Sequence, residues 1–226
     1  MEFKPIASSS AGNLYTVSSG GTRLMLECGL RWRDLQKRLG YDVTSFDGCL
    51  VTHEHSDHSR SMRELISRGV KVYTSAGTAN ALDLGGQCEI LRPKQRYRIG
   101  CIDVMPFSVF HDAAEPLGFL LRDKDDLLLF ATDTCSIPVL VDGVTIAAIE
   151  CNHAVDLFAP DAADWEKRAR RSHMSIDSFC DYLDKLDRSR MKQIYLLHMS
   201  DRHAREDDFV ERIKKRYGLP VSACPK

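Results

Sequence analysis

The chain has 226 residues, 43% of them hydrophobic, with 31 lysines and arginines against 32 aspartates and glutamates. That length and apolar content suit one sizeable core, so a single hydrolase-sized α/β domain over residues 1–226 is expected. The formal net charge of −1 excludes a global basic field for nucleic acid and an acidic disordered segment, so any phosphate binding must be local.

Taken in chain order, the first informative stretch is Ser8 to Asn13. It is rich enough in Ser and Gly to offer backbone N–H groups to a phosphate, which makes Ser10 and Asn13 candidate substrate contacts; a hairpin turn between two strands fits it equally well. A strand is expected at Leu24-Met25-Leu26, then a helix whose apolar face is Trp32, Leu35 and Leu39. A second strand, Gly48 to Thr52, runs directly into His53-Glu54-His55-Ser56-Asp57-His58. Three histidines and an aspartate within six residues are too dense for solvated loop histidines. Strand alternation would turn His53 and His55 toward one ion, and Asp57 and His58 toward another. Imidazoles with carboxylates and no thiolate suit Zn, Mn or Fe.

A helix carrying Met62, Leu65 and Ile66 closes at Gly69, and strands follow at 70–74, 102–109, 119–122, 127–132, 145–151 and 193–198. His111, Asp133 and His198 come just past the ends of three of these strands, where loops at a sheet edge converge. Asp133 alone would be an ordinary turn residue; beside the 53–58 cluster the three form one rim. Asn152 and His153 close the 145–151 strand and are candidates to support ligands or face substrate. The run Arg168-Ala169-Arg170-Arg171 makes Arg170 and Arg171 candidate phosphate contacts, with a solvated helix face as the competing reading. Ser175 is a plausible N-cap for a helix with a buried stripe of Ile176, Phe179, Cys180, Leu183 and Leu186, which sets His173 near a helix N-terminus. His203 lies in a charged run and is expected to be exposed. A last helix carrying Phe209, Val210, Ile213 and Tyr217 stops at Gly218 and Pro220.

The eight cysteines are scattered without a C-x-x-C pair, as reduced thiols are, and no apolar run reaches the length of a membrane span. A cytoplasmic protein with no membrane partner is expected. Many strands with irregularly inserted helices favour two stacked mixed sheets flanked by helices, an αββα sandwich, over a doubly wound sheet.

The order His-x-His-x-Asp-His, then His111, Asp133 and His198, resembles the metallo-β-lactamase superfamily in its phosphodiesterase and nuclease branch. The blocks at 8–13, 27–30, 110–113, 150–153, 172–175 and 197–200 are similar to those of the small bacterial WalJ-type exonucleases. The resemblance implies that His53, His55 and His111 hold one divalent ion, Asp57, His58 and His198 a second, and that Asp133 bridges both. It makes Glu27, standing where Asp is usual, a residue that orients the histidine cluster. Ser172 also departs from the pattern, standing where Gly is common.

It further implies a dinuclear phosphodiester hydrolase, in which a hydroxide shared by the ions attacks phosphorus, Asp57 positions or deprotonates it, and His173 stabilises or protonates the departing oxygen. DNA is the expected substrate. Small cyclic nucleotides or sugar phosphates are the alternative, and a metal-binding interaction module without turnover is the remaining one. A tRNA-processing role is disfavoured by the lack of a long Gly/Pro-rich arm. Nothing in the residues sets the oligomeric state.

Overall fold

The structure, a computed structural model, describes residues 1–226 apart from positions 160 and 162 and the side chain at 165. The first sheet begins as a meander of β1 (Glu2–Ala7), β2 (Leu14–Ser19) and β3 (Thr22–Leu26). Gly20 and Gly21, both at positive φ (51° and 86°), form the two-residue loop joining β2 to β3, a turn whose hand only such residues adopt without strain. After β3 the pairing becomes parallel. The helix α1 (Trp32–Arg38) leads to β4 (Gly48–Leu50). The short α2 (Ser56–Ser59) and α3 (Met62–Ser67) lead to β5 (Val72–Thr74), and α4 (Ala76–Ala81) leads to β6 (Glu89–Ile90).

The second sheet repeats the plan. Its antiparallel part is β7 (Tyr97–Ile99), β8 (Ile102–Ser108), β9 (Leu117–Arg122) and β10 (Leu127–Ala131). Its parallel part continues from β10 through β11 (Ile146–Glu150), β12 (Gln193–Leu197) and β13 (Val221–Ala223). The helices α5 (Asp164–Ser172) and α6 (Ile176–Lys185) lie between β11 and β12, and α7 (Glu206–Tyr217) between β12 and β13.

Side chains alternate across each strand, and in β10 both faces are buried. Leu128 and Phe130 point between the sheets, joining Tyr15, Leu26, Leu50 and Phe119. Leu127, Leu129 and Ala131 point outward under α6 and α7, against Phe179, Leu183 and Ile213. A third cluster seats α1 and α3 on the first sheet through Leu35, Met62 and Leu65. The result is the expected αββα sandwich, with each large buried side chain contributing about 1.5–3 kcal/mol of transfer free energy.

Every expected strand is present, and several are shorter than their apolar runs. β4 stops at Leu50, β10 at Ala131 and β12 at Leu197, because the residues beyond leave the ladder to enter the rim. Ser175 caps α6, accepting the Ser178 N–H at 3.1 Å. Gly218 ends α7 in the left-handed region at φ 65°. The strands β1 and β2 bear out the hairpin reading of residues 8–13. The short β6, β7 and β13 and the helices α4 and α5 carry too few apolar residues to have been legible. Five cysteines are buried and none of the eight is in a disulfide. Among the described residues no helix is long and apolar enough to cross a membrane.

Candidate metal centre

The loops that leave the carboxyl ends of β1, β3, β4, β8, β10, β11 and β12 converge at one edge of the sandwich. In open α/β sheets this is where ligands bind, because the strand ends splay apart there. Three residues at these ends are non-glycine and left-handed: Glu27 (φ 64°), Asp133 (φ 45°) and His198 (φ 49°). Each such conformation costs about 1–2 kcal/mol and persists where the surroundings enforce it. Here Glu27 N–H donates to Leu50 O at 2.9 Å. His198 N–H donates to Ser8 Oγ at 2.8 Å, and His198 O accepts from Asn152 Nδ2 at 2.7 Å.

After β4 the chain does not continue as an alternating strand. His55 occupies the N-cap of α2, so Asp57 and His58 stand on a helical turn, and it is this turn that separates them from His53 and His55. The loop is seated by a close backbone approach. A Cβ on Gly29 would lie 1.5 Å from Asp57 O, and Asn13 N–H and Cys28 N–H donate to Asp57 O (2.7 Å) and His58 O (2.8 Å). Gly29→Ala should therefore destabilise the fold by about 2–4 kcal/mol and loosen the loop at 57–58. Chemical denaturation of the metal-free protein checks this, and a change below 1 kcal/mol would show that the contact gives way freely.

Among the described residues three groups of donors lie close enough to hold an ion; two are the sets the sequence order implied, and the third joins Asp133 and His198 to Glu150 and His173. In the first, His53 Nε2 lies 3.0 Å from His55 Nδ1, which lies 3.2 Å from His111 Nε2. In the second, His58 Nε2 is 3.3 Å from both Asp57 Oδ2 and Asp133 Oδ1, and His198 Nε2 is 3.4 Å and 3.7 Å from the same two oxygens. Asp133 faces both sets: its other oxygen, Oδ2, is 3.7 Å from His111 Nε2. An ion held tetrahedrally at Zn–N distances has ligand–ligand edges of about 3.3–3.4 Å. The donor spacings, 3.0–3.7 Å, bracket such an edge.

The electrostatics agree. Burial, with His58 nearby, holds His53 well below the usual histidine range, and burial likewise lowers His111, so both are neutral donors. Burial opposes charge on His58 and His198 too, but there the carboxylates win. Asp133, Asp57 and Glu27 hold His58 well above its ordinary value, and Asp133, Asp57 and Glu150 push His198 up to about 10. Asp133 and Asp57 stay ionised despite burial because those imidazoles face them. The site is thus buried negative charge balanced by protons, and divalent ions can take the place of those protons.

Around the donors lie the positioning contacts. Thr52 Oγ1 is 2.9 Å from His53 Nδ1, leaving Nε2 for the site. Asn152 Nδ2, 3.3 Å from His198 Nδ1, holds that ring. Glu27 is fully buried and its Oε2 lies 3.6 Å from His58 Nδ1, so the longer side chain reaches the cluster. Glu27 Oε1 and His58 Nδ1 make no hydrogen bond.

Several placements differ from the sequence expectations. His173 stands two residues before Ser175, the N-cap of α6, as expected, but it is also the C-cap of α5, and its Nδ1 is turned to Glu150 Oε1 at 2.5 Å. Its ring lies parallel to His198 at 5.4 Å and edge-on to His111 at 5.1 Å. Although burial opposes it, Glu150 holds His173 above the ordinary histidine value. Glu150 was not picked out from sequence. It is fully buried, and its Oε2 accepts N–H bonds from Thr134 (2.7 Å) and Met174 (3.2 Å). The available signal was an acid ending the apolar run 145–149. Asn13 cannot be a substrate contact: it is wholly buried, and its amide donates to Ser9 O and Asp57 O at 3.1 Å each and sits 3.1 Å from His58 Nε2. Ser10 is exposed on the same loop. His153 is buried, its ring edge-on to Phe158, and burial drops it to about 4. His203 is also buried, stacked on Phe158 at 4.0 Å and 3.1 Å from Glu166.

Two clefts carry Lys and Arg side chains, and the first of them, which also holds Asp112 and Asp164, includes His111 of the rim. One, of about 710 Å³, is lined by Phe110, His111, Asp112, Lys167, Arg168 and Arg171 among others. Arg168 pairs with Asp112 across it, whereas Arg171 is exposed and in no ion pair among the described residues. Arg170 is exposed as well but does not line this cleft. The other, of about 820 Å³, is lined by Ala11, Leu30, Arg31, Lys37, Arg38 and Arg60, with Asp34 as its one acid.

The sequence profile of the β-lactamase superfamily domain matches residues 22–199. Exodeoxyribonuclease YycJ of Bacillus anthracis is 28% identical over 218 residues, covering 88% of this chain and 83% of that protein. Exodeoxyribonuclease WalJ of Streptococcus pneumoniae is 26% identical over 219 residues, covering 88% and 81%. Among solved structures, the metallo-β-lactamase fold protein YhfI from Bacillus subtilis superposes with a TM-score of 0.77 at 14% identity, covering 99% of this chain and 95% of its own.

Proposed function

The chain belongs to the β-lactamase superfamily, and on that premise we propose that it is a single-domain, two-ion phosphodiester hydrolase that acts as a DNA exonuclease. The observation that carries the reading is Asp133, whose two oxygens face two separate donor sets with the His173–Glu150 pair alongside. In this reading His53, His55 and His111 hold one divalent ion, Asp57, His58 and His198 the other, and Asp133 both. Zn or Mn suits this donor set, and Fe is compatible with it. Ions bound there would polarise a phosphoryl oxygen and bring water toward ionisation at neutral pH.

The chain's own groups do the rest. Asp57, ionised and partly open to solvent, orients the attacking water and accepts its proton. His173, held by Glu150 through Nδ1, gives a proton from its other nitrogen to the departing oxygen. Phosphate recognition is local, as the near-zero net charge requires, and falls to the two clefts. Cations spread over two clefts suit a polymer better than a small cyclic diester, and in this reading Arg171 and Ser10 meet its backbone. The names of the two exonuclease relatives support the same substrate. Reduced cysteines fit a cytoplasmic setting.

The test is release of nucleotides from end-labelled linear duplex DNA by protein stripped with EDTA and reloaded with Mn²⁺ or Zn²⁺. Release should vanish on stripping and return on reloading. A protein carrying two ions that leaves DNA intact but opens a cyclic dinucleotide would overturn the exonuclease assignment.

A further inference from the structure

We infer that Phe110 is a shelf on which the terminal nucleobase of the DNA stacks, with Arg171 taking a neighbouring backbone phosphate; this rests on the exonuclease reading. Phe110 is 55% exposed, unusual for a phenylalanine, and among the described residues no aromatic ring stacks on it. It directly precedes His111 of the first donor set, so the two Cα atoms are about 3.8 Å apart, and both side chains line the same cleft.

Its exposure is not slackness. Phe110 N–H donates to Thr134 Oγ1 at 3.1 Å, and Phe110 O accepts from Cys135 N–H at 3.1 Å. Thr134 N–H is in turn held by Glu150, so the backbone under the ring is tied to the loop that carries Asp133. An exposed aromatic ring on a tied backbone and Arg171, in no ion pair among the described residues, share one cleft with His111. A nucleotide has the same parts: a flat apolar base a short distance from an anionic phosphate. Stacking is sequence-tolerant because every base has a π face, which suits an enzyme that must remove each nucleotide in turn.

The experiment crosses substrate with residue. Linear duplexes identical except for a terminal base or a terminal abasic sugar are given to the wild type, Phe110→Ala and Phe110→Trp, all loaded with Mn²⁺. In the wild type and Phe110→Trp, loss of the base should lower kcat/KM for the terminal nucleotide roughly tenfold; in Phe110→Ala the two substrates should differ by less than about twofold. A binding readout needs no turnover: terminal 2-aminopurine should lose fluorescence on the metal-free wild type and keep it on Phe110→Ala. An equal base-to-abasic ratio in all three proteins, with DNA still degraded, overturns the shelf and spares the exonuclease reading. No release from either duplex by the wild type overturns both.

Discussion

Asp133→Ala should lower hydrolysis of DNA by about three orders of magnitude or more and leave fewer than two ions per chain. The substitution removes the one group whose oxygens face both donor sets, and several kcal/mol of transition-state stabilisation go with the ions it would hold. It also strips His58 and His198 of the carboxylate that does most to keep them charged. Removing one partner of a buried charge network is costly in itself, on the order of 3–5 kcal/mol. Asp133→Asn, which removes the charge but keeps the shape and tolerates the left-handed turn, should lose less stability than Asp133→Ala and still fail to retain both ions. Metal analysis by mass spectrometry alongside the DNA assay decides the matter. Full occupancy with full activity in either variant would remove Asp133 from the site. A wild type that binds fewer than two ions under saturating supply would favour a binding module over an enzyme.

His173→Ala should behave differently, with kcat down by roughly 10²–10⁴-fold and the ion content unchanged. Its Nδ1 is already committed to Glu150, which leaves one nitrogen to act on substrate. Yet His173, Glu150, Asp133 and His198 also lie close enough together to hold an ion. Metal content separates these roles. A variant that loses an ion along with activity would make His173 a ligand, and the proton donor would have to be sought elsewhere. A loss confined to kcat, largest for diesters with a poor leaving group, is the signature of a proton donor.

Where the sequence reading succeeded, the physics was local. An apolar run followed by an acid or a histidine marks a strand reaching a rim, and β4, β10 and β12 followed that rule. It applied equally to β11, whose terminal Glu150 was passed over because a buried glutamate there shows its purpose only when His173 arrives from another loop. Alternation along a strand misdescribed residues 53–58, since α2 begins at Ser56 and periodicity cannot resolve a four-residue helix. Asn13 and His203 read as accessible polar residues. Their burial depends on residues far along the chain, Asp57 with His58 for one and Phe158 with Glu166 for the other.

The sequence by itself determined the kinds of donor, their order, and the sandwich whose strand ends deliver them, because residue chemistry and the periods of strand and helix are written in nearest neighbours. The tertiary structure alone decided the distances. His53 hangs from the first sheet while His111, Asp133 and His198 hang from the second, and no local pattern encodes how two sheets face each other. The left-handed turns at Glu27, Asp133 and His198, the Glu150 hold on His173, and the exposed ring of Phe110 exist only because that packing makes unfavourable local geometry the lower-energy choice.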